Sequence, residues 1–326
     1  MTKIDLITGI LGSGKTTFIK KYASYLIAKG ERIAILENDF GAVNVDMMIL
    51  QDIRCDNCTV EMIMGGGDHD CHKRRFKTQL ISLGMQNYDR VIVEPSGIFD
   101  MDEFFDLLYE SPLDRWFAIG SVIGITDAEM DDVLSDQMEY LLASESACCG
   151  KLLLSKTGSM TASQLEERAE AILCHINRAM ESIKCDRRLK RENITAKSWD
   201  DLTDDDMDAL ENSGYVGARY IKKYSPESIR SGVHYFMHID IPADKIENVI
   251  TETVNDRECG SIFRIKGSLP DGRGGWLKIN ATKEKTETAP VKEGQPVLIV
   301  IGDELVLERI DNHFKEYNRD DEYVSI

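Results

Sequence analysis

The segment Gly9-Ile-Leu-Gly-Ser-Gly14-Lys15-Thr16 constrains this chain more than any other feature. Its spacing is G-x4-G-K-T, and it lies between an apolar run, Ile4 to Thr8, and a stretch from Thr16 to Lys29 with helical periodicity. In that setting Gly9, Gly12, Ser13 and Gly14 let the backbone curl so that successive N–H groups point inward at a phosphate chain. Lys15 is expected to bridge the β- and γ-phosphates and Thr16 to put its hydroxyl on Mg2+, with the adjoining Thr17 counted in the cradle. A chance glycine-rich turn is the bland alternative, and the strand before and helix after oppose it.

The first half alternates short β-branched runs with amphipathic stretches, which predicts βαβ units on a mainly parallel, doubly wound α/β sheet. Strands are expected at Ile4–Thr8, Arg32–Leu36, Arg90–Glu94, Phe117–Thr126 and Lys151–Ser155, with a capped helix at Ala162–Lys184 opened by the pair Thr161 and Gln164. The acidic run WDDLTDDDMDA (Trp199 to Ala209) resembles a cation cluster, but Thr203 stands at a helix N-cap position and aspartates suit a first helical turn. Residues 1–222 are expected to form the nucleotide-binding domain and 223–232, rich in Ser, Pro and Gly, a linker. The remainder, 233–326, is expected to be a smaller α+β domain in the order β-α-β-β-β-α: strands Val233–Ile241, Ser261–Lys266, Trp276–Ile279 and Pro296–Ile301, helices Ala243–Asp256 and Glu304–Tyr317.

A phosphate loop needs acidic company. Arg90-Val-Ile-Val-Glu94-Pro-Ser-Gly97 ends a strand in a carboxylate that could order a magnesium-bound water, with Gly97 N–H placed to sense the γ-phosphate. Between the two lies Glu37-Asn38-Asp39-Phe40-Gly41, where Asp39 is the candidate for the Mg2+ shell or the attacking water and Asp46 a weaker one.

Composition narrows the partners. A net charge of −18 repels nucleic acid and anionic membrane at long range while leaving room for a local anion pocket. Eight cysteines among 326 residues are too sparse for a secreted disulfide scaffold, and the N-terminus lacks a signal-peptide layout, so the reading is cytoplasmic with reduced thiols.

These residues resemble the CobW-type P-loop GTPases, a family associated with metal delivery and cobalamin metabolism and related to the GTPases that mature nickel hydrogenase and urease. GILGSGKTT at Gly9 to Thr17, ENDFGAVNVD at Glu37 to Asp46, VIVEPSG at Val91 to Gly97 and Arg264-Ile-Lys266-Gly267 near the C-terminus carry the likeness. It implies Mg2+-dependent GTP hydrolysis coupled to metal handling, with an unidentified client metalloprotein. The base-reading segment of the family corresponds to Leu154-Ser155-Lys156-Thr157-Gly158, where glycine stands in place of the guanine-reading aspartate. Ser155 and Lys156 can still line a base, and GTP and ATP both stay open as ligands.

The family's G-C-x-C-C metal motif is also altered. Here Glu61-Met-Ile-Met-Gly-Gly-Gly67 leads into Asp68-His69-Asp70-Cys71-His72, so oxygen and imidazole donors surround one surviving thiol. Such a set favours Zn, Co, Ni or Fe. Upstream, Cys55-Asp-Asn-Cys58 is a C-x2-C pair, so Cys55, Cys58, Cys71 and His72 or His69 are expected to be able to close a Cys3His tetrahedron, with Asp68 and Asp70 as alternative ligands. Cys174, Cys185 and Cys259 read as solitary thiols. The leading expectation is a slowly hydrolysing nucleotide switch that delivers or inserts a transition metal or metal cofactor; a non-hydrolysing P-loop scaffold is the alternative.

Overall fold

The computed structural model describes residues 1–10, 12–38, 50, 53–63, 69–95, 101–224, 232–283 and 285–325. They fall into two compact units, one holding the described residues up to Tyr224 and the other those from Gly232. The expected linker lies largely outside the described residues.

The first unit is built on seven parallel strands: β1 (Thr2–Thr8), β2 (Ile33–Asn38), β3 (Cys58–Ile63), β4 (Arg90–Pro95), β5 (Phe117–Asp127), β6 (Lys151–Ser155) and the short β7 (Ile194–Thr195), in the order β3-β2-β4-β1-β5-β6-β7. From β1 the chain goes first to one side, laying down β2, then β3 outside it and β4 between β2 and β1, and then crosses to the other side for β5, β6 and β7. The C-terminal end of β1 is therefore a topological switch point, the place where open α/β sheets bind ligands. Helix α1 (Lys15–Ala28) follows β1 directly and buries Phe18, Ile19, Tyr22, Ala23 and Leu26, the stripe its periodicity announces. Then come α2 (His69–Gly84), α3 (Met101–Leu108), the single turn α4 (Leu113–Trp116), α5 (Asp136–Ala147), α6 (Ala162–Ser182) and α7 (Asp204–Glu211). Thr161 and Gln164 close a capping box on α6. The aspartate run supplies the cap of α7: Thr203 N–H donates to Asp206 Oδ2 at 2.9 Å, and Lys197 pairs with Asp206. It is a helix start, as the solvated reading has it.

A charged group in the middle of this sheet has no counterpart in the sequence expectations. Arg90, 1% exposed, donates to Asp5 on β1 (2.5 Å), to Glu211 at the end of α7 (2.6 Å) and to Glu31 (3.0 Å). Asp5 also accepts from Tyr22 Oη (2.8 Å) and from the Ser121 N–H (2.7 Å), so its carboxylate is satisfied from three elements, β4, α1 and β5.

The second unit is a six-stranded antiparallel sheet, β11-β10-β9-β12-β8-β13, made by β8 (Val233–Met237), β9 (Ser261–Pro270), β10 (Trp276–Ala281), β11 (Thr286–Val291), β12 (Val297–Asp303) and β13 (Val324–Ser325). Helices α8 (Ala243–Asn255) and α9 (Leu307–Lys315) share its core, in which Ile246, Ile250, Ile262, Ile310 and Phe314 pack together. Two boundaries differ from expectation for backbone reasons. β8 stops four residues short of Ile241 because His238 adopts φ 53°, and α9 begins after Glu304, which adopts φ 50°. No helix among the described residues is long and apolar enough to cross a membrane.

Candidate functional site

The phosphate loop sits at the switch point. Gly9 has φ 142°, and a Cβ there would lie 2.3 Å from the Ile125 carbonyl oxygen, so the loop can leave β1 this closely against β5 only with glycine. Gly14, at φ 100°, is the N-cap of α1 and turns the chain into the helix. Ser13 N–H donates to the Ile10 carbonyl at 3.1 Å. Lys15, 5% exposed, reaches back across the loop and donates to the Gly9 carbonyl at 2.7 Å. The ammonium is thus held within the cradle by a neutral acceptor, one that a phosphate oxygen would outcompete through charge.

Thr16 and Glu94 meet. Thr16 Oγ1 donates to Glu94 Oε1 at 2.9 Å, joining the start of α1 to the end of β4, with both residues buried. A hydroxyl and a carboxylate at this separation are hard-oxygen donors of the kind Mg2+ takes. Thr17 is exposed. Asp39, Asp46, Asp68 and Gly97 lie outside the described residues, as do the side chains of His69 and Asp70.

Behind the loop lies a small cavity lined in part by Thr8, Gly9, Thr126, Glu145 and Ser146. Glu145, on α5, accepts from the Gly9 N–H, and burial pushes its carboxyl up to about 8 against the pull of the Lys15 charge. Its Oε2 has no hydrogen-bond partner among the described residues. On the other side of the loop Trp199 stands against Gly14: a Cβ on that glycine would be 3.3 Å from the indole. Trp199 Nε1–H donates to the Leu154 carbonyl (2.7 Å), and its ring meets Phe18 edge-on at 5.8 Å. Neither residue is announced by a motif. Glu145 is the lone charge among the last eight residues of its helix, Tyr140 to Ala147, all of them buried, and a single charge in that otherwise uncharged run is the one signal the sequence offers.

Ser155 ends β6, buried, and Lys156 follows in the left-handed region at φ 54°, paired with Asp127 at the end of β5. A Cβ on Gly158 would meet nothing within 4 Å.

The metal residues separate into two groups. His72, 4% exposed, has its Nε2 at 2.5 Å from Asn38 Oδ1, so the first turn of α2 is fastened to the C-terminal end of β2. That edge also carries Glu37, which pairs in register with Glu94 on β4. Since the amide oxygen accepts, Nε2 bears the proton and Nδ1 is the metal-capable nitrogen. Cys71, half-buried, is the neighbouring residue. Cys58 instead begins β3 and pairs with Ile33, whereas Asn38 pairs with Ile63, the last residue of that strand. Five strand residues, roughly 17 Å, separate the two ends. Ligands of one tetrahedral ion lie within about 4 Å of each other. The Cys3His grouping of Cys55, Cys58, Cys71 and His72 is therefore corrected: Cys55 and Cys58 exchange backbone hydrogen bonds (3.2 and 3.0 Å) in a turn at the opposite end of the strands. Burial also pushes the Cys58 thiol up to about 11.

A family model described as CobW/HypB/UreG, nucleotide-binding domain, matches residues 3–184. The chain belongs to this family. Among relatives of this CobW/HypB/UreG chain, the zinc chaperone YeiR of Escherichia coli (strain K12) is 31% identical over 131 residues, 40% of this chain and 39% of the relative. The zinc chaperone YjiA of the same strain is 27% identical over 178 residues, 52% of this chain and 54% of the relative. The matched stretches thus span about half of those relatives' length or less. The crystal structure of the Zn(II)-bound YjiA GTPase from E. coli is 18% identical, covers 98% of this chain and 99% of that one, and superposes with a TM-score of 0.40.

Proposed function

We propose that this CobW/HypB/UreG chain is a Mg2+-dependent nucleoside triphosphatase that hydrolyses GTP, or ATP, slowly and couples its nucleotide state to delivery of a transition metal or metal cofactor to a client metalloprotein. The observation that carries the reading is the 2.9 Å bond from Thr16 to Glu94 beside a loop spanned by Lys15. Thr16 Oγ1 would hold Mg2+ directly and Glu94 would hold it through water in its shell, and the ion would supply charge neutralisation at the phosphates when bound. Lys15 would exchange the Gly9 carbonyl for phosphate oxygens, and Glu94 would accept from water in the magnesium shell. Phosphoryl transfer to water asks for positioning and charge neutralisation more than covalent chemistry, so turnover is slow until a partner or a metal completes the site.

The metal half of the reading rests on the edge shared by the phosphate loop and the start of α2. Cys71 and His72, with Asp68 and Asp70 as oxygen donors, form the ligand set we propose, and Zn2+ heads the list because the related chaperones are named for zinc. Asn38 orients His72 from the strand whose end precedes the Asp39 segment, which gives nucleotide and metal a common element to bias.

Phosphate release with Mg-GTP and with Mg-ATP, run beside zinc equilibrium dialysis with and without nucleotide, tests the proposal. Slow magnesium-dependent release and roughly one zinc per chain, held with a nucleotide-dependent affinity and weakened by Cys71→Ser, are expected. No release with either nucleotide, or zinc binding indifferent to nucleotide, would contradict it. The scaffold alternative draws on Gly158 alone and predicts no saturable nucleotide binding.

A further inference from the structure

Cys259 is not solitary. In the second unit, far along the chain from the DHDCH segment, Asp256, Cys259 and His313 bring a carboxylate oxygen, a thiol sulfur and an imidazole nitrogen within 4.8 Å of one another. His313 Nε2 is 2.8 Å from Asp256 Oδ2, and the Cys259 thiol donates to the same oxygen at 3.6 Å. We propose that these three residues form a second metal site, a three-ligand site for a borderline divalent cation of the Zn2+ class. The proposal stands apart from the nucleotide-linked reading, since none of its residues belongs to the phosphate-loop unit.

Three observations support it. The first is chemical: thiolate, imidazole and carboxylate are the donor set that selects zinc-like ions over Mg2+ or Ca2+. The second is metric. Bond lengths of about 2.0 to 2.3 Å put tetrahedral ligand atoms about 3.3 to 3.6 Å apart. The sulfur–oxygen separation of 3.6 Å already fits, and the nitrogen–oxygen pair at 2.8 Å has to open by roughly half an ångström.

The third is preorganisation. Asp256 caps the short turn Arg257–Cys259, its Oδ1 accepting from the Glu258 N–H at 2.9 Å, which leaves Oδ2 directed at the other two groups. The Cys259 N–H donates to the Asp256 carbonyl (3.1 Å), and its own carbonyl accepts from Val306 N–H (3.0 Å) just before α9, the helix that carries His313. Arg309 on the same helix pairs with Glu258, fastening helix to turn. A frame that fixes ligands before the ion arrives is what a second shell provides. Cys259 is fully buried, whereas Asp256 and His313 are 28% and 26% exposed, so the sulfur forms the floor and the other two form an open rim. Three protein ligands with one open position suit an ion that is taken up and handed on. An Asp–His ion pair over a packed thiol is the competing account, and it makes no demand on metal.

Cobalt(II) titration of the Cys55→Ser/Cys58→Ser/Cys71→Ser chain, with and without Cys259→Ser added, tests the site, because a thiolate-to-cobalt band that disappears with Cys259→Ser belongs to that thiol and not to Cys148, Cys149, Cys174 or Cys185. One cobalt per chain with such a band is expected, and His313→Gln should weaken its binding at least about tenfold. Asp256→Asn keeps the acceptor that caps the turn and should weaken it likewise. If the triple variant does not fold, the cobalt bound by the otherwise unaltered chain should fall by one equivalent on His313→Gln. Absence of the band, or binding indifferent to both substitutions, would overturn the proposal, and neither result bears on nucleotide hydrolysis.

Discussion

Thr16 Oγ1 donates a 2.9 Å hydrogen bond to Glu94 Oε1, tying the first turn of the helix after the phosphate loop to the end of the strand beside it. The bond crosses 78 residues of chain, and it sets the two oxygens side by side before any ion arrives. Glu94→Gln keeps the acceptor but removes the charge. We expect it to lower magnesium-dependent hydrolysis by about a hundredfold while nucleotide affinity changes only a few-fold, as loss of one electrostatic element in such sites does. Single-turnover phosphate release beside nucleotide titration separates the two effects, and equal loss of both would mean that Glu94 serves binding alone.

Gly158 is open: nothing lies within 4 Å of the Cβ it would carry. Gly158→Asp should therefore fold normally and supply the carboxylate that pairs with the guanine ring N–H and amine. The expected gain in GTP over ATP preference is about tenfold or more, the worth of a hydrogen bond to a charged group. Competition binding measures it, and an unchanged ratio would show that the base sits elsewhere.

Glu145 gives the fold a pH signature. Its carboxyl is raised by burial from 4.5 to about 8, so between those values the unfolded chain has released a proton that the native chain still holds. The native state binds more protons there, and stability contributed by this residue is present at the acid end and lost as pH rises towards 8 and beyond. Glu145→Gln retains an oxygen to accept from Gly9 N–H and cannot ionise. Denaturant melts of the variant should show a flatter decline from about pH 5 to pH 8 than the wild type; parallel curves would refute the assignment.

Arg90 is a structural centre. Removing its guanidinium leaves Asp5, 0% exposed, as an uncompensated charge inside the sheet, which costs about 3 to 5 kcal/mol. Urea melts of Arg90→Ala should show a loss of that order, well above the 0 to 1 kcal/mol typical of surface pairs.

What the sequence disclosed and what it withheld divide along physical lines. Apolar runs named β1, β2, β4, β5 and β6 because strands buried on both faces need nothing but branched apolar residues, and capping spacing named α6 through Thr161. β3 is hidden because Cys58 reads as a ligand and Glu61 as the residue that opens the metal motif, while Val60 and Ile63 carry the burial of an edge strand. β11 was hidden for a different reason: Glu287, Thr288, Ala289 and Pro290 are all exposed, so no apolar alternation marks it. Separations along the chain misled most at the cysteines. Twelve residues between Cys58 and Cys71 looked short, yet a strand runs the full depth of the sheet between them, and the pairing of Ile33 with Cys58 is visible only once the register is known. Asp256, Cys259 and His313 illustrate the converse, since 53 residues lie between the last two and the fold closes the gap.

The cradle formed by Gly9, Gly14, Lys15 and Thr16 is expected to hold a nucleotide, and calorimetry reads that directly. Titrating Mg-GTP and Mg-ATP into the wild-type chain should give saturable heat for at least one of them, and Lys15→Ala should weaken that binding by roughly a hundredfold, as loss of a charged partner to phosphate does. No saturable heat for either nucleotide, or identical isotherms for the wild type and Lys15→Ala, would contradict it.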